Sequence, residues 1–229
     1  MSLSILTYNV AKGQFQPKDI NRIVAKHKPD IICLQEFNSK VKDQLNFTKD
    51  YNIKEPKGKQ GWFKNVTYSK YQIVQYIQFP TVDETRQILG IHIKLKGHNF
   101  WIINVHLSAG RNNDAKRKKQ LASLLNNIKQ NLNDPAHIVI VGDFNLDADE
   151  QFTFKSYKTA PLVGTYCNTN CCIKNENIGT FNHPFDRCVY KGLHLSHNPQ
   201  LVGLDTKCSD HFGVIYTFGS KSESSCTIQ

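Results

Sequence analysis

With 229 residues, 39% of them apolar, the chain can bury one substantial core within a single unit. No stretch approaches the roughly eighteen apolar residues of a membrane span, and the opening MSLSILTYNV lacks the charged start and long apolar run of a signal peptide. A location in cytoplasm or nucleus, rather than a membrane span or classical secretion, is therefore the expectation. A formal charge of +10 and a pI near 9.2 favour polyanionic partners, nucleic acid or an anionic membrane, without choosing between them. Of seven cysteines only Cys167, Cys171 and Cys172 cluster, without C-x-x-C spacing, so they read as reduced thiols rather than a zinc site.

In chain order, Ser4 to Val10 alternates as a first strand, and Pro17 to His27 sets Ile20, Ile23 and Val24 on one helical face before Pro29 stops it. Asp30 to Gln35 (DIICLQ) is the β-branched run of a buried strand. Asn38 to Tyr51 reads as a helix with a weak stripe of Val41 and Leu45. Trp62 to Tyr68, Tyr71 to Phe79, Gln87 to Leu95 and Phe100 to Leu107 read as four consecutive antiparallel strands, with a hairpin turn at Lys96 to Asn99. Arg111 to Leu132 is the longest expected helix, burying Leu121, Leu124, Leu125, Ile128 and Leu132, and its basic run Lys116 to Lys119 reads as a solvated face. Ile138 to Val141 is a second buried strand. Tyr157 to Ile178 has no clear period and reads as a long loop, or two short strands, at the mouth of a site. Phe185-Asp186-Arg187 open another strand, Val214 to Phe218 form the last, and 220–229 is a polar tail after a domain spanning 1–219.

Four of these strands carry groups with chemistry at one end: Asn9, Glu36 and Asp143 with Asn145 follow the apolar residues of the first, second and GDFNLD strands, and Asp210 with His211 stand just before the final one. Hydrolysis of a phosphodiester with a metal ion needs hard oxygen ligands, a group to activate water, and donors for the developing charge. Asn9, Glu36, Asp143, Asn145, Asp210 and His211 supply all three.

In this order and context the residues resemble the endonuclease/exonuclease/phosphatase superfamily, from Ile5 to about Phe218. The resemblance implies an α/β fold, a four-layer α/β/β/α sandwich of two packed mixed β-sheets flanked by helices. It also implies a hydrolase dependent on Mg²⁺, or Mn²⁺, in which Glu36 is the principal metal ligand and Asn9 and Asp210 complete the site. Asp143 would position and deprotonate the attacking water, Asn145 and His106 would bind non-bridging oxygens, and His211, held by Asp186, would stabilise the transition state. Ser108 and Arg111, in HLSAGR, would contact substrate. The segments VQYIQFPTVDETRQILGIHI, HLSAGRNNDAKRKKQ, GDFNLD and GTF with FDR look most like the 5′-tyrosyl-DNA phosphodiesterase branch, which implies action on nucleic acid ends; a monomer is expected. After Asn145 the chain has Leu146-Asp147-Ala148 where that branch commonly has an arginine. A phosphoinositide phosphatase or sphingomyelinase-like hydrolase is the alternative, and a catalytically silent binding protein the third. Cys226-Thr227-Ile228-Gln229 has the form of a prenylation box whose terminal Gln favours farnesyl, which would bring the chain to an anionic membrane.

Overall fold

The computed structural model describes residues 2–11, 16–57, 63–81, 88–150, 152–166, 183–204 and 209–219. Strand β1 (Ser2–Asn9) carries Leu3 and Ile5 on one face and Leu6 and Tyr8 on the other, all buried, so it is covered on both sides. Helix α1 (Pro17–His27) has Pro at its first turn and ends where Lys28 turns left-handed. Its Ile20, Ile23 and Val24 pack onto Leu6, Tyr8, Ile32 and Leu34, the outer rows of β1 and β2 (Ile31–Asn38).

The helix expected over Asn38 to Tyr51 is instead two short 3₁₀ helices, Ser39–Gln44 and Asn46–Asp50, separated by an extended Leu45 buried in the core. A stripe of only Val41 and Leu45 gives a continuous α-helix too little apolar surface to bury.

Strand β4 (Phe63–Ser69) pairs with β2 along one edge and β3 (Asn52–Lys54) along the other. It has no edge left for β5 (Ile73–Phe79), so the four strands expected in succession divide, and the chain crosses to a second sheet after Ser69. That sheet runs β5, β6 (Ile88–Leu95), β7 (His98–His106), β8 (Ile138–Asp143), β10 (Asp186–Lys191), β9 (Lys158–Thr159). The first sheet runs β11 (His194–Leu195), β13 (Gly213–Gly219), β1, β2, β4, β3, with β12 (Gln200–Val202) also on β13.

The sheets meet face to face through Ile5, Cys33, Val214 and Tyr216 of the first and Ile91, Ile102, Val141 and Cys188 of the second. Helix α2 (Asp114–Asn131), the crossover between the parallel strands β7 and β8, covers the far face with Leu121, Leu124 and Ile128 on Ile103, Val105 and Ile140. Four layers result, helix, sheet, sheet, helix. Helix α2 begins three residues later than expected, after a 3₁₀ turn at Arg111–Asn113.

The basic run is not a uniformly solvated face, because Arg117 is 1% exposed. It shares the helical row of Leu121, Leu124 and Ile128, and Glu150 neutralises it. Cys33 and Cys188 are free and buried, and burial pushes the Cys33 thiol up to about 12. No helix among the described residues is long and apolar enough to cross a membrane. Cys167, Cys171, Cys172, Cys208 and the tail with Cys226 lie outside the described residues.

Candidate active site

Along the inner faces of both sheets, side chains of alternate residues form rows that begin apolar and end polar. On β1 the row is Leu3, Ile5, Thr7, Asn9; on β7 it is Phe100, Ile102, Asn104, His106; on β8 it is Val139, Val141, Asp143. Register brings these ends together: His106 lies opposite Asp143 across the parallel β7–β8 pair, and Asp143 opposite Asp186 across the antiparallel β8–β10 pair. One glycine permits this. Gly142, at φ +143°, runs so close to β7 that a Cβ would stand 2.1 Å from the carbonyl oxygen of Val105.

Asp143 is 1% exposed and both its oxygens are engaged. Oδ2 accepts from Asn9 Nδ2 at 2.8 Å, and Oδ1 accepts from the amide of Asn145 at 2.8 Å. Burial pushes its carboxyl up to about 6, against the opposing pull of His211. Two imidazoles approach Oδ2, His106 Nε2 at 3.6 Å and His211 Nε2 at 3.8 Å. Asn145 is itself left-handed, with φ 49°, and its side chain donates to Leu107 O at 3.1 Å, tying the loop after β8 to the loop after β7.

His211 Nδ1 sits 2.7 Å from Asp186 Oδ2, which makes Nε2 the nitrogen available to a ligand. Burial pulls the imidazole toward neutrality, but Asp186, Asp143 and Asp210 outweigh it and raise it to about 9. The turn carrying Asp210 and His211 is held by Ser209, whose hydroxyl donates to Asn9 O at 2.6 Å and accepts from the His211 amide at 3.0 Å.

Glu36 reaches the same space by a different device. Strict alternation along β2 would put it beside Ile32 and Leu34, under α1. The ladder with β4 instead slips between Leu34 and Phe37, Glu36 takes φ 54°, and Phe37 occupies the outer row. Glu36 Oε1 then stands 3.7 Å from His106 Nε2. Burial first, and the neighbouring charge of Glu36 among others, raise the Asp210 carboxyl, as expected of carboxylates gathered at one place.

Among the described residues no three His, Cys, Asp or Glu side chains form a preassembled metal cage. Two carboxylates at a solvent-open cavity suit a hard, hydrated divalent ion, because Mg²⁺ keeps several waters and takes one or two protein carboxylates. The residues present therefore fit such an ion.

A cavity of about 490 Å³ is lined by Asn9, Glu36, His106, Arg111, Asp143, Asn145, Asp210 and His211. Asp186 stands behind His211, outside that lining. Ser108 is not brought to it. Its side chain is buried, its amide donates to Gln120 Oε1, and its carbonyl accepts from Arg117. Several lining residues carry no signal in the sequence. Tyr166, His183 and Phe185 form an aromatic wall beside His211, with Tyr166 and Phe185 stacked at 4.9 Å and Tyr166 4.9 Å from the His211 ring. Asp147 Oδ1 lies within hydrogen-bond distance of His183 Nδ1, so it is paired here with a histidine. Nothing periodic marks these positions, which are joined by isolated bridges of Tyr166 to His183 and to His211.

Residues 6–211 match the model of the Endonuclease/Exonuclease/phosphatase family. The chain belongs to this family. This family member is 24% identical over 247 residues to tyrosyl-DNA phosphodiesterase 2 of Gallus gallus, covering 95% of this chain and 67% of the relative. It is 24% identical over 248 residues to the Mus musculus protein of the same name, covering 94% and 66%. The chain thus spans about two thirds of the length of these curated relatives. Among solved structures, truncated Caenorhabditis elegans TDP2 aligns with a TM-score of 0.78 at 19% identity, covering 95% of this chain and 97% of that one. Danio rerio TDP2 complexed with a single-strand DNA product aligns at 0.77 and 21%, covering 96% and 99%. The human Nocturnin catalytic domain aligns at 0.70 and 17%, covering 95% and 94%. These likenesses show the shared four-layer fold. The family member is a hydrolase of the phosphodiesterase and nuclease class, and its family works with a divalent metal ion.

Proposed function

We propose that this protein hydrolyses phosphodiesters at DNA ends, with a 5′-tyrosyl phosphodiester as the preferred bond and Mg²⁺ as the ion. The observation that carries the reading is the convergence on one cavity of Glu36 and Asp210, the buried Asp143, and His211 held by Asp186. The curated relatives are tyrosyl-DNA phosphodiesterases by name, and the aromatic wall beside His211 offers flat faces on which a base or a tyrosyl ring can stack.

In this mechanism Glu36 and Asp210, with Asn9 beside them, would hold the ion, whose charge would offset that of the phosphoryl group. Asp143 accepts a proton from the attacking water; Asn9 and the Asn145 amide keep its carboxylate turned toward that water. Asn145 and His106 face the non-bridging oxygens. His211 donates from Nε2 to the oxygen that gains charge in the transition state, while Asp186 fixes the ring through Nδ1. Arg111, its side chain 84% exposed at the cavity rim, supplies positive charge to an incoming strand.

A panel of 5′-tyrosyl oligonucleotide, abasic duplex, plain DNA, phosphoinositides and sphingomyelin, each with Mg²⁺, tests the reading. The tyrosyl oligonucleotide is expected to be cut fastest, and EDTA to abolish cutting. A lipid preferred by tenfold, about 1.4 kcal/mol of transition-state discrimination, would replace DNA as the substrate. No turnover of any of them would overturn the proposed substrate.

A further inference from the structure

Between the apolar core shared by the two sheets and the polar floor of the cavity lies a layer of Thr7, Gln35, Thr67 and Asn104, each fully buried. Asn104 stands two residues before His106 on β7 and so faces the same inter-sheet space. Its Nδ2 donates across to the main-chain oxygens of Leu34 at 3.2 Å and Val66 at 3.1 Å, with Thr67 Oγ1 at 3.3 Å. Leu34 and Val66 are the last opposed pair of β2 and β4 before the bulge. Because a carbonyl only accepts, the amide can face only one way, and Oδ1 is left to accept from Gln35 Nε2 at 2.8 Å. Gln35 Nε2 also reaches Thr7 Oγ1 at 3.1 Å and Cys33 O at 3.2 Å. One side chain of the second sheet thus grips the first sheet on both strands of its bulge, and grips the residue immediately before Glu36.

We propose that Asn104, with Gln35, is the positioning residue for Glu36: the amide pair locks the β2 bulge and so aims the carboxylate into the cavity. A left-handed conformation at a non-glycine residue persists only where its surroundings over-determine it. Here the register slip must be held, because restored alternation would carry Glu36 to the α1 face and away from the ion. Asn104 supplies that hold from a strand that makes no ladder with β2. The inference rests on Glu36 holding the metal as proposed above.

Mn²⁺ alone, titrated into the intact protein and followed by electron paramagnetic resonance, tests it without turnover. Folded Asn104→Leu is expected to bind Mn²⁺ about 10- to 100-fold more weakly, the range for losing a group that orients a ligand. Tyr51→Phe removes a buried hydrogen bond to the Pro29 carbonyl, away from the bulge and its amide pair, so it should lower the melting temperature and leave Mn²⁺ affinity unchanged. Combined with Glu36→Gln, Asn104→Leu should add nothing to the loss caused by Glu36→Gln alone. Wild-type affinity in Asn104→Leu, or a loss that adds in full to that of Glu36→Gln, overturns the proposal. If Asn104→Leu does not fold, Gln35→Leu carries the same expectations and the same refutation. A Glu36→Gln protein that binds Mn²⁺ as well as wild type would instead overturn the assignment of Glu36, a separate failure.

Discussion

Asp143→Asn is expected to lower kcat by about 10²- to 10⁴-fold, the usual contribution of a positioned general base, while the protein stays folded. The amide cannot accept the proton of the attacking water. Nor can it satisfy both of its present donors, since Asn9 Nδ2 and the Asn145 amide each point at a carboxylate oxygen and one would now face an N–H. One lost hydrogen bond costs about 1–3 kcal/mol, and removing a charge that is 1% exposed offsets part of it. Circular dichroism and urea titration should therefore show a native fold with a modest change in midpoint, beside a near-complete loss in single-turnover assays with the tyrosyl oligonucleotide. A wild-type rate would remove Asp143 from the role of base.

Arg117→Met should cost about 3–5 kcal/mol of folding stability, the range for breaking a buried ion pair from one side. The guanidinium is 1% exposed and pairs with Glu150 through two nitrogens, Nε at 2.9 Å and Nη2 more closely still. Nη1 donates to Ser108 O at 2.9 Å and Gly110 O at 2.7 Å. Methionine keeps most of the volume but strands the Glu150 carboxylate and two carbonyls. It also uncouples the loops after β7 and β8, which carry Arg111 and Asn145, so kcat/KM should fall as well. Urea unfolding of Arg117→Met beside Arg117→Met/Glu150→Leu checks the cause: the second change should recover a large part of the loss, because no unpaired charge remains.

How much of this could be read from residues alone depends on whether the signal is periodic. The runs ILTYN, DIICLQE and IVIVGD announce strands whose apolar residues give way to polar ones at the carboxyl end, and the site lies where those runs stop. Arg117 was hidden by its chemistry rather than its position. It falls four residues before Leu121 and seven before Leu124, on the buried row, but a run of four cations suggests solvent. Glu36 could be identified as a site residue from its context, yet its route could not, because nothing in the letters QEF shows a register slip. The division of four similar strands between two sheets was equally silent, since it depends on both edges of β4 being occupied. Tyr166 and His183 belong to no repeating pattern and are joined only by the closing of the fold.

The cavity takes Asn9, Glu36 and the Asp210–His211 turn from one sheet and its neighbourhood, and His106 and Asp143 from the other, which also places Asp186 behind His211. Its internal ties are correspondingly distant along the chain: Asn9 to Asp143 spans 134 residues and Ser209 to Asn9 spans 200. During refolding either sheet can assemble its own ladders while holding half of the chemistry, and half has no turnover. Regain of activity is therefore a clock for the docking of one sheet on the other, and it should trail the recovery of far-ultraviolet dichroism, which reports the ladders themselves.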